Sequence, residues 1–214
     1  MVQKYEEKTI QDGQLVKTVR SHFEGENEKL SANLAIEFMA EANQESGKEI
    51  FSQGDKEIVR EAIEATTPAF DPERKTVIQP KLNERSSVVA KAVGLADLGT
   101  AGMEGPDAIV FGGNALFREE NLDIARISKN PDKVPPHLCQ YYRQRMINWS
   151  NFEIDFVKGL KALLPEKLVG LPVSSHQQLL LLFDKFDSSI EMVERKAQER
   201  EQMSFGELLV DMGY

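Results

Sequence analysis

The sequence has almost no cysteine. Cys139 is the one cysteine among 214 residues, which excludes an intramolecular disulfide and favours a reducing compartment. Because it follows Leu138 near the start of a predicted helix, we expect a small apolar core residue and not a nucleophile. None of His22, His137 and His176 has a second histidine or a cysteine at metal-ligand spacing. We therefore predict no catalytic residue, no metal site and no cofactor.

Long apolar runs are also missing. The longest covers residues 179–183, whereas a helix that crosses a bilayer needs about 20 apolar residues. The charged first eight residues lack the apolar core of a signal peptide. A hydrophobic fraction of 41% and a mean hydropathy of −0.40 fit a soluble globular chain. We expect a cytoplasmic protein without a membrane partner, or a viral protein in the host cytoplasm or the virion.

Positive charge is scarce relative to negative charge. The formal net charge is −9, which repels phosphate backbones and lowers the expectation of nucleic-acid binding. Residues 24–64 hold eleven acids and four bases, so this stretch carries −7 of the excess. Such a stretch is either a solvated helix face or a docking surface for a basic partner. In the second case the partner-binding residues are Glu37, Glu41 and Glu45.

Strand-forming residues are concentrated in the first 24 residues. Asp12-Gly13 separates residues 4–11 from a second arm rich in β-branched side chains. An Asp-Gly pair between two such arms predicts a β-hairpin, with a first helix interrupted by Gly13 as the alternative. An isolated hairpin is marginally stable and must pack on helices, a larger sheet or another chain. We assign residues 1–24 to a β-hairpin appendage.

One apolar stripe organises the rest of the chain. Its members recur every three or four residues, the spacing of one face of an α-helix: Leu138, Tyr142, Met146, Trp149, Phe152, Phe156, Leu160 and Leu163. Pro136 suits a helix start and Pro165 a stop. The stripe predicts a long central helix over 136–164, with a break near Trp149 as the alternative. Glu153 is expected on its polar side.

The stretch after Pro165 repeats this pattern. A second stripe predicts a long helix over 175–200, antiparallel to the central helix because the turn between them is short. Its charged part, from residue 191 onward, is expected to project into solvent. We therefore predict a mainly α fold, α+β at the margin, with a helical bundle in one domain over 25–203. Shorter helices are predicted over 25–45, 55–65, 83–98 and 116–127.

Glycine is densest over 99–114, and residues 108–111 inside this loop predict a short strand. The backbone N–H groups of Gly99, Gly102 and Gly105 are candidates for phosphate binding. Phosphate loops, however, have a strand before the glycines and a helix after them, and the predicted order here is the reverse. A structural turn is the alternative.

The last element has an apolar side formed by Phe205, Leu208, Leu209 and Met212, with Ser204 and Glu207 at capping-box spacing. We assign residues 204–214 to a short C-terminal helix or a docking peptide. The element either folds back on the body or inserts its four apolar residues into a partner's groove.

A basic and aromatic patch lies on the central helix. Its members are Tyr141, Arg143, Arg145, Lys158 and Lys161. Residues 131–167 hold six bases and four acids, which makes this region +2, and arginines beside exposed aromatic rings can follow phosphates and stack on bases. The alternative is that the aromatic rings are core residues and the arginines pair with acids of 24–64.

Three functions are compatible with these patterns. The first is a non-catalytic interaction or assembly protein that binds another protein or itself as a homo-oligomer, such as an adaptor, an accessory subunit or a phage or viral structural component. It acts through amphipathic helices and an acidic surface, and exposed apolar residues over 26–45 or 176–212 favour it. The second is a nucleic-acid-associated replication or transcription factor that uses the basic patch. The third is small-ligand or phosphate binding at 99–114.

Overall fold

A computed structural model describes residues 5–12, 15–97 and 99–214. They are mainly helical with little β-structure, which confirms the predicted fold class. Gly13 of the predicted hairpin turn lies outside the described residues. The elements are β1 Tyr5–Asp12, β2 Leu15–His22, α1 Glu26–Ser46, α2 Gln53–Glu64, β3 Ala69–Asp71, β4 Thr76–Ile78, α3 Val88–Asp97, α4 Pro106–Glu120, α5 Leu122–Ile127, α6 Pro136–Leu168, α7 Val173–Leu182, α8 Phe186–Gln202 and α9 Phe205–Asp211.

The described residues form two compact units that interleave along the chain. Unit 1 contains Phe23–Thr100 and Gly159–Phe183. Unit 2 contains Tyr5–His22, Ala101–Lys158 and Asp184–Tyr214. The predicted domain limits after residues 24 and 203 stay predictions.

The predicted β-hairpin is confirmed as part of unit 2. β1 and β2 pair antiparallel from Tyr5 opposite His22 to Asp12 opposite Leu15. A two-stranded sheet needs further packing to be stable, and two ion pairs connect the hairpin to neighbouring helices. These pairs join Arg20 to Glu119 of α4 at 2.6 Å and Arg126 of α5 to Glu7 at 2.8 Å.

One buried cluster of unit 1 consists of small side chains. Ala62, Ala65 and Ala90 are buried together, with Leu82 packed against them. Strands β3 and β4 pair antiparallel. The fully buried Thr76 of β4 lies so close to Gly159 of α6 that a Cβ at position 159 would be 2.8 Å from Thr76 Cγ2. α6 and β4 therefore approach each other only because residue 159 is a glycine.

The unit 2 core combines side chains of α6 with side chains of α4, of α5 and of the C-terminal segment that begins at Phe205. It is formed by Phe117, Ile124, Tyr142, Met146, Ile147, Phe205, Leu208, Leu209 and Met212. Arg143 of α6 bonds the carbonyl of Met203, whereas Lys158, four turns later, pairs with Glu194 of α8. These contacts run in opposite directions along the two helices, so this part of α6 and α8 are antiparallel, as predicted.

The long helices differ in extent from the prediction. α6 is continuous past Trp149, as predicted, but it does not stop at Pro165 and ends at Leu168. The predicted helix 175–200 is two helices, α7 and α8. The backbone N–H of Lys185 donates to the carbonyl of Gly102 at 3.0 Å instead of a carbonyl of its own helix, which accounts for the break.

Two further predictions are wrong. The short strand at 108–111 is instead part of α4, because a run of four apolar residues fits a helix as well as a strand and Pro106 starts a helix there. The end of α8 does not project into solvent, because Val193, Ala197 and Arg200 are buried. These three residues are spaced by four and three, so they continue the apolar side of the helix.

Candidate functional site

The outward side of α1 combines apolar and acidic side chains. We name Leu34, Glu37, Phe38, Glu41 and Glu45 the α1 outer face. At 100° per residue they fall within an arc of about 100°, and all five are exposed. Leu34 keeps 37% and Phe38 59% of its surface accessible. The opposite side of the helix is buried through Ala32 and Met39, so the exposed apolar residues are not part of the core packing.

The glutamates of the α1 outer face lack ion-pair partners in the part of the chain that the structure describes. None of Glu37, Glu41 and Glu45 forms an ion pair with another residue in the described ranges. Like charges four residues apart on a helix repel each other. Glu45 also lies in the last turn of α1, where the helix dipole disfavours a carboxylate. That turn contains no basic residue. This arrangement destabilises α1 by itself, and a cation from outside would relieve it.

The predicted C-terminal docking residues lie in the unit 2 core. Phe205, Leu208, Leu209 and Met212 are all buried there. Ser204 and Glu207 form the predicted capping box of α9, and Arg118 donates hydrogen bonds to the carbonyls of Met212 and Gly213. This is the folded-back alternative, in which the four side chains are not accessible. Insertion into a partner's groove stays a prediction.

The arginines of the basic patch have partners inside unit 2. Arg143 donates to the carbonyls of Glu201 and Met203, at the end of α8. Arg145 forms an ion pair with Asp123, and both side chains are nearly buried. An arginine in a two-pronged contact with a carboxylate is held in one geometry. The charges of both arginines therefore stabilise the fold of unit 2.

Lys158 and Tyr141 of the patch also contact other side chains. Lys158 pairs with Glu194 at 2.6 Å, and the guanidinium of Arg145 lies 5.4 Å from the centre of the Tyr141 ring. Lys161 belongs to unit 1. No contact in the described residues favours nucleic-acid binding by this patch, and that function stays a prediction.

The glycines at 99, 102 and 105 adopt a turn that leads into a helix. A π-helical turn covers Thr100–Glu104, and Gly105, with a φ of 99°, precedes α4. The side chain of Lys185 packs on Gly105, since a Cβ there would be 2.9 Å from Lys185 Cδ. The carbonyl of Gly102 accepts the backbone N–H of Lys185. Lys185 thus covers Gly105 at the start of α4, and phosphate binding by these glycines stays a prediction.

A buried arginine connects four helices of unit 2. Arg200 of α8 is only 1% exposed. It donates to Asp211 at 2.7 Å, to Ser150 at 2.9 Å and to Asn114 at 2.8 Å. Lys196 bonds the other oxygen of Asp211. Burial acts to raise the pKa of Asp211, but the hydrogen bonds from Lys196 and Arg200 outweigh it and hold that pKa below its usual value.

Glu153 is buried beside this network and not on the polar side of α6, where we predicted it. It is spaced seven residues from the buried Met146, which places both on one side of the helix. Its Oε2 is 3.6 Å from Arg200, and its Oε1 has no hydrogen-bond partner in the described residues. Burial raises the pKa of Glu153 to about 7, opposed by Arg200 and by the nearby indole N–H of Trp149. That N–H does not reach hydrogen-bond geometry, so burial dominates.

Unit 1 contains a cavity of about 490 Å³, which we name the unit 1 cavity. Its walls come from the segment after β4, from α3 and from the end of α6. Apolar walls include Leu82 and Leu163, and the cationic groups are those of Arg74, Lys91 and Lys167. Pockets that bind small molecules have volumes of roughly 300–1,000 Å³ and combine apolar walls with a few polar groups. The sequence patterns do not indicate this site, because its residues are far apart in the chain.

A hydrogen-bonded series positions one of these cations. Lys167 donates to Gln79 Oε1 at 2.6 Å, and the amide nitrogen of Gln79 donates to Asp97 at 3.2 Å. Burial lowers the pKa of Lys167 to about 8, and the charge of Asp97 opposes this shift. Burial also raises the pKa of Asp97. Gln79 is thus fixed from both sides and orients the ammonium of Lys167.

Comparisons with protein families, with curated proteins and with solved structures find no match to this chain. Its functional assignment therefore depends on the geometry of the two units. Among the helices in the described ranges, none has both the length and the apolar character required to cross a bilayer.

Proposed function

We propose that this protein is a non-catalytic interaction protein, whose α1 outer face binds a basic amphipathic helix of another protein. The observation that carries this proposal is Phe38, a large aromatic side chain that is 59% exposed among three glutamates without ion-pair partners in the described residues. An exposed apolar residue by itself is common on protein surfaces. An exposed aromatic residue within a ladder of unpaired like charges is not explained by the stability of α1.

Phe38 supplies the apolar anchor of the proposed interface. Burial of a phenylalanine side chain contributes about 2 kcal/mol, and aromatic residues are enriched at the centres of protein interfaces. Leu34 lies one turn away and extends the apolar contact. The glutamates surround this centre with negative charge, which steers a basic partner into place.

The dimensions of the α1 outer face support a helical partner. From Leu34 to Glu45 the face covers about 17 Å, or three helical turns. A matching helix has apolar residues at i, i+3 and i+4 between lysines and arginines. A second copy of α1 does not fit, because the same glutamates would meet across a two-fold axis. Homo-oligomerisation, if it occurs, uses another surface, and the glutamates also repel phosphate backbones.

We place this function in the cytoplasm. Cys139 is a free and partly buried thiol whose Sγ lies 3.5 Å from the carbonyl oxygen of Val134. Reducing compartments preserve such thiols. This supports the compartment expected from the sequence.

A defined peptide tests the proposal. The probe is an 18-residue helical peptide with leucines on one side and lysines on the other, and a twin with glutamates in place of the lysines is the control. Fluorescence anisotropy should show that the full chain binds the basic peptide more tightly at low salt than at high salt and does not bind the acidic twin. Phe38→Ser should weaken binding at least tenfold.

The matched control is Phe111→Ser, because Phe111 of α4 is also exposed, at 73%, and lies outside the α1 outer face. This variant should bind the basic peptide as the unaltered chain does. The proposal is wrong if the two serine variants bind equally well, because the peptide would then recognise the acidic surface in general.

A further inference from the structure

A buried ammonium lies at the wall of the unit 1 cavity. Lys91 of α3 is 1% exposed. Its Nζ donates to the carbonyl oxygens of Glu84 at 3.0 Å and Val169 at 2.7 Å, and it has no carboxylate partner within ion-pair distance in the described residues. An ammonium has three N–H donors, so one donor remains. A buried charge is costly unless it is paired.

The backbone around Lys91 is shaped for this ammonium. Gly170 has a φ of +82°, a conformation that favours glycine. A Cβ at position 170 would overlap Lys91 Nζ and lie 2.7 Å from the carbonyl oxygen of Glu84. Any other residue would therefore displace the ammonium from its position at the cavity wall. The position of the Lys91 ammonium therefore depends on a glycine at residue 170.

The charges at the cavity favour an anion. Three cations line it against two carboxylates, although the whole chain has a net charge of −9. One of the carboxylates, Glu166, is already paired with Arg74 at 3.2 Å. The other, Glu84, has an exposed side chain. Among the described residues, Lys91 and Lys167 form no ion pair with a lining carboxylate, and the charge of Asp97 acts on Lys167 from behind Gln79.

We propose that the unit 1 cavity binds a small organic anion, whose carboxylate or phosphate is held by Lys91 and Lys167 and whose apolar body packs against Leu82 and Leu163. The remaining N–H of Lys91 donates to the anion, and the Gln79 amide keeps Lys167 directed toward it. Charge-assisted hydrogen bonds of this kind are about twice as strong as neutral ones. This site is independent of the α1 outer face.

Isothermal titration calorimetry of the full chain tests this site with four probes. Hexanoate and phenyl phosphate carry an acidic group on an apolar body, inorganic phosphate lacks the body, and hexanol lacks the charge. We expect hexanoate or phenyl phosphate to bind at least tenfold more tightly than either inorganic phosphate or hexanol. Comparison of the two organic anions then identifies the preferred acidic group.

Variants connect the binding to the cavity. Lys167→Met should weaken binding of the preferred anion at least tenfold, and so should Lys91→Met if circular dichroism shows that it folds. Lys48→Met, which removes an exposed lysine of unit 1 outside the cavity, should change the affinity less than twofold. The proposal is overturned if neither organic anion binds, if hexanol binds as tightly as hexanoate, or if Lys167→Met binds as the unaltered chain does.

Discussion

Gly113 of α4 lies directly against the carboxylate of Glu153 on α6. A Cβ built at position 113 overlaps Glu153 Oε1 and lies 3.0 Å from its Cδ. The two helices of unit 2 therefore approach closely only because residue 113 has no side chain. The contact also explains why Glu153 is dehydrated, since backbone covers one of its oxygens and Arg200 lies near the other.

Alanine substitutions at two neighbouring glycines should change the stability in opposite directions. Gly113→Ala should destabilise the protein by about 1–3 kcal/mol, because the buried carboxylate must move into packed surroundings. Gly112→Ala is the matched control, since a Cβ at position 112 meets no atom within 4 Å. It should stabilise α4 by about 0.5–1 kcal/mol. Urea unfolding measures both changes, and a destabilised Gly112→Ala or a neutral Gly113→Ala would contradict the described packing.

Glu153 makes stability depend on pH near neutrality. Its pKa is raised in the folded protein to about 7 from an ordinary 4.5, so the folded state binds a proton that the unfolded state has released. The contribution of Glu153 to the free energy of unfolding is therefore fully present below pH 4.5. It falls by about 3 kcal/mol as the pH rises to 7. Lys196 and Asp211 keep their charges over this range, because the pKa of Lys196 is raised and that of Asp211 is lowered.

The variant Glu153→Gln isolates this contribution. Glutamine keeps the shape without the titration, so the variant should be more stable than the unaltered chain at pH 8, and the two should converge near pH 5. Guanidinium unfolding at several pH values, followed by the fluorescence of Trp149, measures the difference. Parallel stability curves at all pH values would show that Glu153 does not titrate in this range.

The glutamates of the α1 outer face should lower the stability of the protein. Because Glu41 repels Glu37 and Glu45, and Glu45 opposes the helix dipole, the double variant Glu41→Gln and Glu45→Gln should unfold at a higher temperature. The same variant should bind the basic peptide more weakly. Thermal unfolding measures the change in stability, and fluorescence anisotropy on the same sample measures the change in peptide affinity. A lower unfolding temperature would show that these glutamates stabilise α1.

The proposed anion site should lose affinity in mildly basic solution. The pKa of Lys167 is about 8 because of its burial, so the lysine is protonated below pH 8 and loses its charge above it. Arg74 and Lys91 face the same cavity, as do Glu84 and Glu166. Hexanoate stays ionised over this range, so its affinity should fall between pH 7 and 9 as Lys167 loses its charge. Calorimetry should show this fall in the unaltered chain and not in Lys167→Met.

Local sequence patterns correctly predicted those helices and strands whose apolar spacing or turn residues match the observed packing. The Asp-Gly pair between β-branched arms gave the hairpin, and the stripe through Tyr142 and Met146 gave α6. The strand predicted at 108–111 was wrong because four apolar residues fit both periods. The break before α8 was not predictable, since it depends on a hydrogen bond from Lys185 to Gly102, which are far apart in the sequence.

The candidate sites also differ in whether the sequence alone indicates them. The acidic ladder of Glu37, Glu41 and Glu45 is visible in the sequence because its spacing is local. The unit 1 cavity is not, since Gln79, Lys91 and Lys167 come together only in the folded chain. Spacing alone did contain a signal for the buried Arg200, which continues the line of Val193 and Ala197.

The most direct test of the proposed function locates the bound peptide on the protein. A nitroxide attached to the basic amphipathic peptide broadens NMR signals of nearby protons in the full chain. We predict that the signals of Leu34 and Phe38 broaden strongly, while those of Phe111 do not. Broadening at Phe111 with unaffected signals at Leu34 and Phe38 would contradict the assignment of the α1 outer face as the partner-binding surface.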